Sequence, residues 1–139
     1  MTETKVNKKT VTSGKRKTAI ARAVLTEGNG DIRVNGKDYK NLQMFNRLKI
    51  EEPLRIAEEV IGKPNFDVDI TIKGGGEKGQ IEAARLALAR AIVSFSKSKQ
   101  LKEAYLDYDR NLMVADVRRK ETYKPGDSKA RRKRQKSYR

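Results

Sequence analysis

The run FDVDITIKGGGEKGQIEAARLALARAIVSFS (66–96) decides the fold. Its first seven residues, Phe66 to Ile72, alternate apolar and polar without a break, the period of a strand with one buried face. After Lys73 the backbone enters Gly74-Gly75-Gly76-Glu77-Lys78-Gly79, and a long helix is expected from about Gln80 to Ser96. On that helix Ile81, Ala84, Leu88, Ala91, Ile92 and Phe95 share a face, while Leu86 and Val93 fall on another, so cover on more than one side is expected. Its alanines permit close approach to a sheet.

Upstream, KRKTAIARAVL (15–25) is strand-prone and leads into Glu27-Gly28-Asn29-Gly30, whose glycines and Asn supply the positive φ of a tight hairpin. Asp31-Ile32-Arg33-Val34 alternates as the returning strand, and Asn35-Gly36 marks a second turn. A helix is expected to open at Pro53, with Glu51 and Glu52 complementing its dipole. Leu54, Ala57, Val60 and Ile61 form its buried stripe, Gly62 caps it and Pro64 stops it. Downstream, Ser98 can cap a shorter helix carrying Leu101, Ala104, Tyr105 and Leu106, and Leu112-Met113-Val114 is a candidate edge strand. The sum is α+β in two layers, one domain over 15–117, between a flexible basic tail (1–14) and a second basic tail (118–139).

Charge is distributed as unevenly as the elements are evenly spaced. Residues 1–22 carry seven cations and one anion, 23–117 carry fifteen of each, and 118–139 carry eleven cations and two anions. The whole net charge of +15 therefore sits at the two ends. A neutral body with cationic ends suits a dense polyanion, where counterion release supplies affinity, and this points to RNA or DNA. The apolar fraction is 36% and the charged fraction 37%, against typical values of about 45–50% and about 25%, as expected when tails dilute a small globular domain. The chain has no Cys and no His, which removes disulfides, thiolate chemistry, the commonest metal ligand and the usual general base. No signal-peptide stretch opens the sequence and no membrane-length apolar run occurs, so a soluble intracellular protein is expected.

Gly74-x-Gly76-x-x-Gly79 matches a dinucleotide fingerprint between a strand and a helix. A Rossmann unit, however, needs a second parallel strand ending in an acid about twenty residues on. That position falls in the polar stretch 98–103. A P-loop fails as well, because Gln80 and Ile81 stand where Lys and Ser or Thr must be. What remains is a glycine loop at a helix amino terminus, able to offer N–H groups to an RNA phosphate, or else glycines that only turn the chain. Lys15, Arg16, Lys17 and Arg22 flank a strand, either as phosphate ligands or as charges that keep an edge from aggregating. The pairs Asp67/Asp69 and Asp107/Asp109 lack any His or Cys to complete a site, the first pair pointing outward from its strand. The terminal run holds Arg118, Arg119, Lys120, Lys129, Arg131, Arg132, Lys133, Arg134, Lys136 and Arg139, with Tyr123 and Tyr138 as stacking rings. Its composition equally fits a nuclear localisation signal or a solubilising tail.

Three segments, GKRKTAIARA (14–23), IKGGGEKGQIEAARLALARA (72–91) and DVRRKETYKPGDSKARRKRQKSYR (116–139), resemble the universal small-subunit ribosomal protein S-nine (uS-nine) family, in the same order. The ending Ser137-Tyr138-Arg139 is similar to the archaeal and eukaryotic branch, where the bacterial form commonly ends Ser-Lys-Arg. The resemblance implies a fold like the second domain of ribosomal protein S-five: a small sheet with helices on one side and a left-handed crossover. It implies a structural role in the head of the cytoplasmic small ribosomal subunit, bound to the 3′ major domain of its ribosomal RNA beside neighbouring head proteins. By the same resemblance Lys15, Arg16, Lys17, the loop residues Gly74, Gly75, Gly76, Lys78 and Gly79, and the tail residues through Gln135 would face ribosomal RNA, and Arg22, continuous with the basic amino-terminal stretch, is expected to join them. Lys136, Ser137, Tyr138 and Arg139 would approach peptidyl-site tRNA, with Tyr138 stacking or packing where the bacterial form has Lys. No cofactor, metal or catalytic residue is expected. Two other classes share parts of the pattern: a free nucleic-acid binder, which has the same charge map, and a small phosphotransferase, which would need a Ser or Thr after the glycines.

Overall fold

The computed structural model describes residues 8–63, 65–126, 129–133 and 135–139. The expectations on residues 1–7, on Pro64 and on Arg134 lie outside the described residues. In chain order come β1 (Thr10–Arg16), β2 (Ala19–Glu27), β3 (Ile32–Val34), β4 (Lys37–Asp38), a 3-10 turn (Tyr39–Asn41), α1 (Met44–Ile61), β5 (Phe66–Lys73), α2 (Glu77–Ser96), α3 (Lys99–Tyr108) and a second 3-10 turn (Arg110–Leu112). The strands form one mixed sheet in the order β1-β2-β5-β3-β4. Only the β3–β5 pair is parallel; β1–β2, β2–β5 and β3–β4 are antiparallel.

Alternation sets the two faces. Ala19, Ala21, Ala23 and Leu25 of β2 and Phe66, Val68, Ile70 and Ile72 of β5 are buried under the helices. Ile20, Arg22, Asp69, Thr71 and Lys73 face outward and are exposed. The α+β, two-layer arrangement with helices on one side is therefore present. α2 is the central helix, and its Ala83, Ala84, Ala87 and Ala91 are fully buried. These small residues let β1 lie close: the Thr12 hydroxyl donates to the Ala87 carbonyl at 2.9 Å, and Gly14 meets the helix backbone at Ala83 and Ala87. Leu86 is buried on the far side of α2, as its second apolar face requires. Ser98 caps α3 by accepting from the Leu101 N–H at 3.3 Å. Among the described residues no helix is long and apolar enough to cross a membrane.

Four expectations need correction. β1 begins at Thr10, so residues 10–14 belong to the sheet rather than to a tail. The glycines at 28–30 do not make a hairpin between neighbours, because β5 inserts between β2 and β3. Asp67 on β5 explains this: its Oδ1 accepts the N–H groups of Asn29, Gly30 and Asp31 at 2.9, 3.1 and 3.0 Å. Those three bonds, led by the one from Asp31, hold the Asp67 carboxyl below its ordinary range against some loss of hydration. The hairpin turns lie instead at Lys17-Thr18, between β1 and β2, and at Asn35-Gly36, where φ is +51° and +80° and the expected second turn is present.

The third correction concerns Pro53, which sits inside α1 rather than at its start. An internal proline loses one helical hydrogen bond. Here its ring is fully buried, and its carbonyl accepts the buried Tyr105 hydroxyl at 2.7 Å. Glu51 and Glu52 thus lie mid-helix, where Glu51 pairs with Arg47 and Arg55 and Glu52 with Arg85. Helix α1 does end at Gly62, with φ of +84°. Fourth, residues 110–112 form a 3-10 turn, so the candidate edge strand at 112–114 is absent. Tyr105→Phe should lower stability by about 1 kcal/mol in a urea titration, since a buried hydroxyl and its carbonyl partner lose their bond. A stability equal to the parent would show that the bond contributes nothing net.

Candidate nucleic-acid interface

One end of the sheet collects the cations. There β1 ends and β2 begins, joined through Lys17, which takes a left-handed φ of +53°. β5 ends and α2 begins at the same end, joined by the glycine loop. A Cβ on Gly74 would stand 2.7 Å from the Thr18 carbonyl oxygen, and one on Gly75 would stand 2.8 Å from the Ala19 Cβ. Both glycines also adopt positive φ, +76° and +69°. Their role is to turn the chain and seat the loop on the β1–β2 turn. A Cβ on Gly76 would meet nothing within 4 Å, so the loop is open to solvent there. Gly79, in the first turn of α2, lies behind it against Arg16 and Ala19. Gln80, standing where a P-loop has its lysine, donates back to the Gly74 carbonyl at 3.1 Å and braces the loop.

The same end of the sheet carries Lys15 at the end of β1, Lys17 in the turn, Lys73 at the end of β5 and Lys78 in the first turn of α2, all four exposed. Across the ladder Lys15 is opposite Ile20, and Ile20 is opposite Lys73. The two lysines therefore flank an exposed Ile20 at two strand spacings, about 10 Å. Arg22 follows on the same face, opposite Ser13 and Thr71. Lys73 was not among the residues picked from sequence, although it continues the outward parity of Asp69 and Thr71 and could have been found by it.

Arg16 does not join this surface. Its parity is that of Thr12 and Gly14, which face α2. Its side chain, 13% exposed, pairs with Glu82 and with Asp116, each at 2.7 Å. Burial opposes ionisation of Glu82, yet Arg16 and Lys49 outweigh it and hold the carboxyl below its usual range. The expected phosphate ligand is thus an internal cation, its guanidinium already paired with two carboxylates. Arg118 is committed in a similar way. Its Nε and Nη2 donate to Asp116 Oδ2 at 2.9 and 2.8 Å, and its backbone N–H donates to Oδ1 at 3.0 Å. The guanidinium bonds first, and the N–H bond next, bring the Asp116 carboxyl down to about 2.

The other tail cations among the described residues stand in solvent. Arg119, Lys120, Lys129, Arg132, Lys133, Lys136 and Arg139 are exposed, as are Gln135, Ser137 and Tyr138. Arg131 pairs with Glu121 at 2.9 Å but is itself open to solvent, and Lys120 lies 4.6 Å over the Tyr123 ring. Neither acidic pair forms a reactive couple: Asp67 holds the 29–31 loop, and Asp109 pairs with Arg85 at 3.1 Å.

A one-sided α+β sheet with a cationic end and a long basic arm makes this a small, strongly basic protein. The sequence model of the family described as "Ribosomal protein S9/S16" matches residues 14–139. The chain is 48% identical over 131 residues to the small ribosomal subunit protein uS9 of Methanococcus vannielii, covering 92% of this chain and 96% of that one. It is 49% identical, with the same coverage, to the protein of that name from Methanococcus maripaludis strain C7. The chain belongs to the S9 family of ribosomal proteins. Its role is structural, in the small ribosomal subunit.

Proposed function

We propose that the chain binds small-subunit ribosomal RNA, in the 3′ major domain, through the lysine-lined end of its sheet and its C-terminal tail. The tail tip, Lys136, Ser137, Tyr138 and Arg139, reaches peptidyl-site tRNA, and the body neighbours other proteins of the subunit head. No chemical step is part of this reading. The observation that carries it is the shared origin of patch and tail: Asp116, where the tail departs, is paired with Arg16, between Lys15 and Lys17. A polyanion lying on the sheet end therefore meets the tail at its root. Phosphate contacts position the protein without reading sequence, and RNA shape fitted to the body supplies the choice of site.

The test replaces Lys15, Lys17, Lys73 and Lys78 together by Gln and titrates isolated 3′ major-domain RNA across salt, with bulk tRNA as competitor. Loss of about three phosphate contacts should flatten the slope of log K against log salt by roughly 2–3 and weaken binding at least tenfold. An unchanged slope would remove the body from the interface. Equal binding to specific and competitor RNA by the parent chain would favour a free cationic binder instead.

A further inference from the structure

The segment between α3 and the tail is tied to the body at successive points by charged side chains. Asp109 pairs with Arg85. Arg90 bridges two strands of chain, donating from Nε to the Met113 carbonyl at 3.1 Å and from Nη1 to the Ser13 carbonyl at 3.0 Å. Asp116 follows, held by Arg16 from the body side and by Arg118 from the tail side. Past it, the Arg131–Glu121 pair and the Lys120–Tyr123 contact lie within the tail.

We propose that Asp116 is a positioning residue: by joining Arg16 at the end of β1 to Arg118 at the start of the tail, it sets the direction in which the tail leaves the body. The inference rests on the RNA reading above. The cavity around this joint, about 290 Å³, is lined by four cations and four carboxylates, so its charges cancel. A phosphate entering it would gain no net attraction and would have to displace a carboxylate from Arg16. The joint is therefore built to hold chain, not ligand. An arm whose first residue is already aimed presents its cations at a higher effective concentration to an RNA held by the lysine patch than a freely swivelling arm does. The carboxylate also has to be shared for this purpose: a salt bridge to Arg16 alone would fix residue 116 but leave the next residue free.

The chain lacks cysteine, so two introduced thiols can be labelled uniquely. Spin labels at Glu27→Cys, the exposed far end of β2, and at Val117→Cys report the exit direction as a distance distribution in the free protein. The distribution should be narrow in the parent background, at least roughly twofold broader with Asp116→Asn, and narrow again with Asp116→Glu. Unfolding midpoints should agree within about 3 °C, which separates aim from stability. Against 3′ major-domain RNA, Asp116→Asn should weaken the full chain roughly threefold to tenfold. It should change a chain ending at Lys120, which keeps Arg118, less than about 1.5-fold. An unbroadened distribution overturns the anchor. A broadened one with no loss of affinity in the full chain overturns its positioning role. If the full chain and the shortened chain bind RNA alike before any change at 116, the RNA reading of the tail is what has failed.

Discussion

A chain ending at Val117 is expected to bind 3′ major-domain RNA about a hundredfold to a thousandfold more weakly than the full chain near 150 mM salt. The truncation removes eleven cations and two anions. Arg118 and Arg131 are already paired with Asp116 and Glu121, so they release fewer counterions than their neighbours. If about six of the remaining cations each neutralise a phosphate, the salt slope flattens by roughly 4–5. Such a slope alone corresponds to about four decades of affinity near 150 mM, and the cost of ordering an extended arm offsets one or two of them. The slope is the decisive quantity, because it counts phosphate contacts whatever the ordering cost. Should full and truncated chains give parallel lines, the tail does not lie on RNA phosphates, however basic it is.

Gly14→Ala should be the most damaging single methyl group in the body. Gly14 pairs with Ala21 in the β1–β2 ladder and faces α2. A Cβ there would stand 2.6 Å from the Ala87 nitrogen and overlap the Ala83 carbonyl oxygen. Both obstacles are helix backbone, so no side chain can rotate away. Either β1 lifts from α2, opening the Thr12–Ala87 bond and the contacts around it, or the helix shifts against the whole core. Overpacking of this kind costs about 3 kcal/mol or more, which corresponds to a fall in the unfolding midpoint of about 10–20 °C for a domain of this size. A melt followed by circular dichroism within 2–3 °C of the parent would mean that the two elements are less closely seated than this geometry requires.

Local signals were legible in the sequence, and long-range ones were not. The alternation at 66–72, the Gly62 stop, the Ser98 cap and the Asn35-Gly36 turn are all written within a few residues, and each is where it was expected. Pro53 misled because the burial that goes with it inside α1 is supplied by the packed fold, not by neighbouring residues in the sequence. The glycines at 28–30 misled because their turn is organised by Asp67 on another strand, not by a hairpin partner. The same distinction holds at the candidate site. Lys15 and Lys17 are outward cations as their neighbourhood suggested, whereas Arg16 is distinguished only by strand parity and by carboxylates at 82 and 116. Parity was available from the sequence and would have separated Arg16 from its neighbours. The carboxylates become its partners only once α2 and the tail root are in place. The cationic tail was fully legible as composition, while the anchoring of its root at Asp116 was not.

The strand order carries a consequence for synthesis. β5 is the last strand made, yet it occupies the middle of the sheet, antiparallel to β2 on one side and parallel to β3 on the other. When residues 8–63 have emerged, the β1–β2 and β3–β4 hairpins can form, but they have no shared partner and the 29–31 loop has no carboxylate to satisfy it. Joining them waits for residues 66–73, and covering the joined sheet waits for α2 directly behind. Contacts of such wide sequence separation form slowly compared with local ones. The sheet of the nascent domain therefore closes only once β5 has emerged to join its two hairpins.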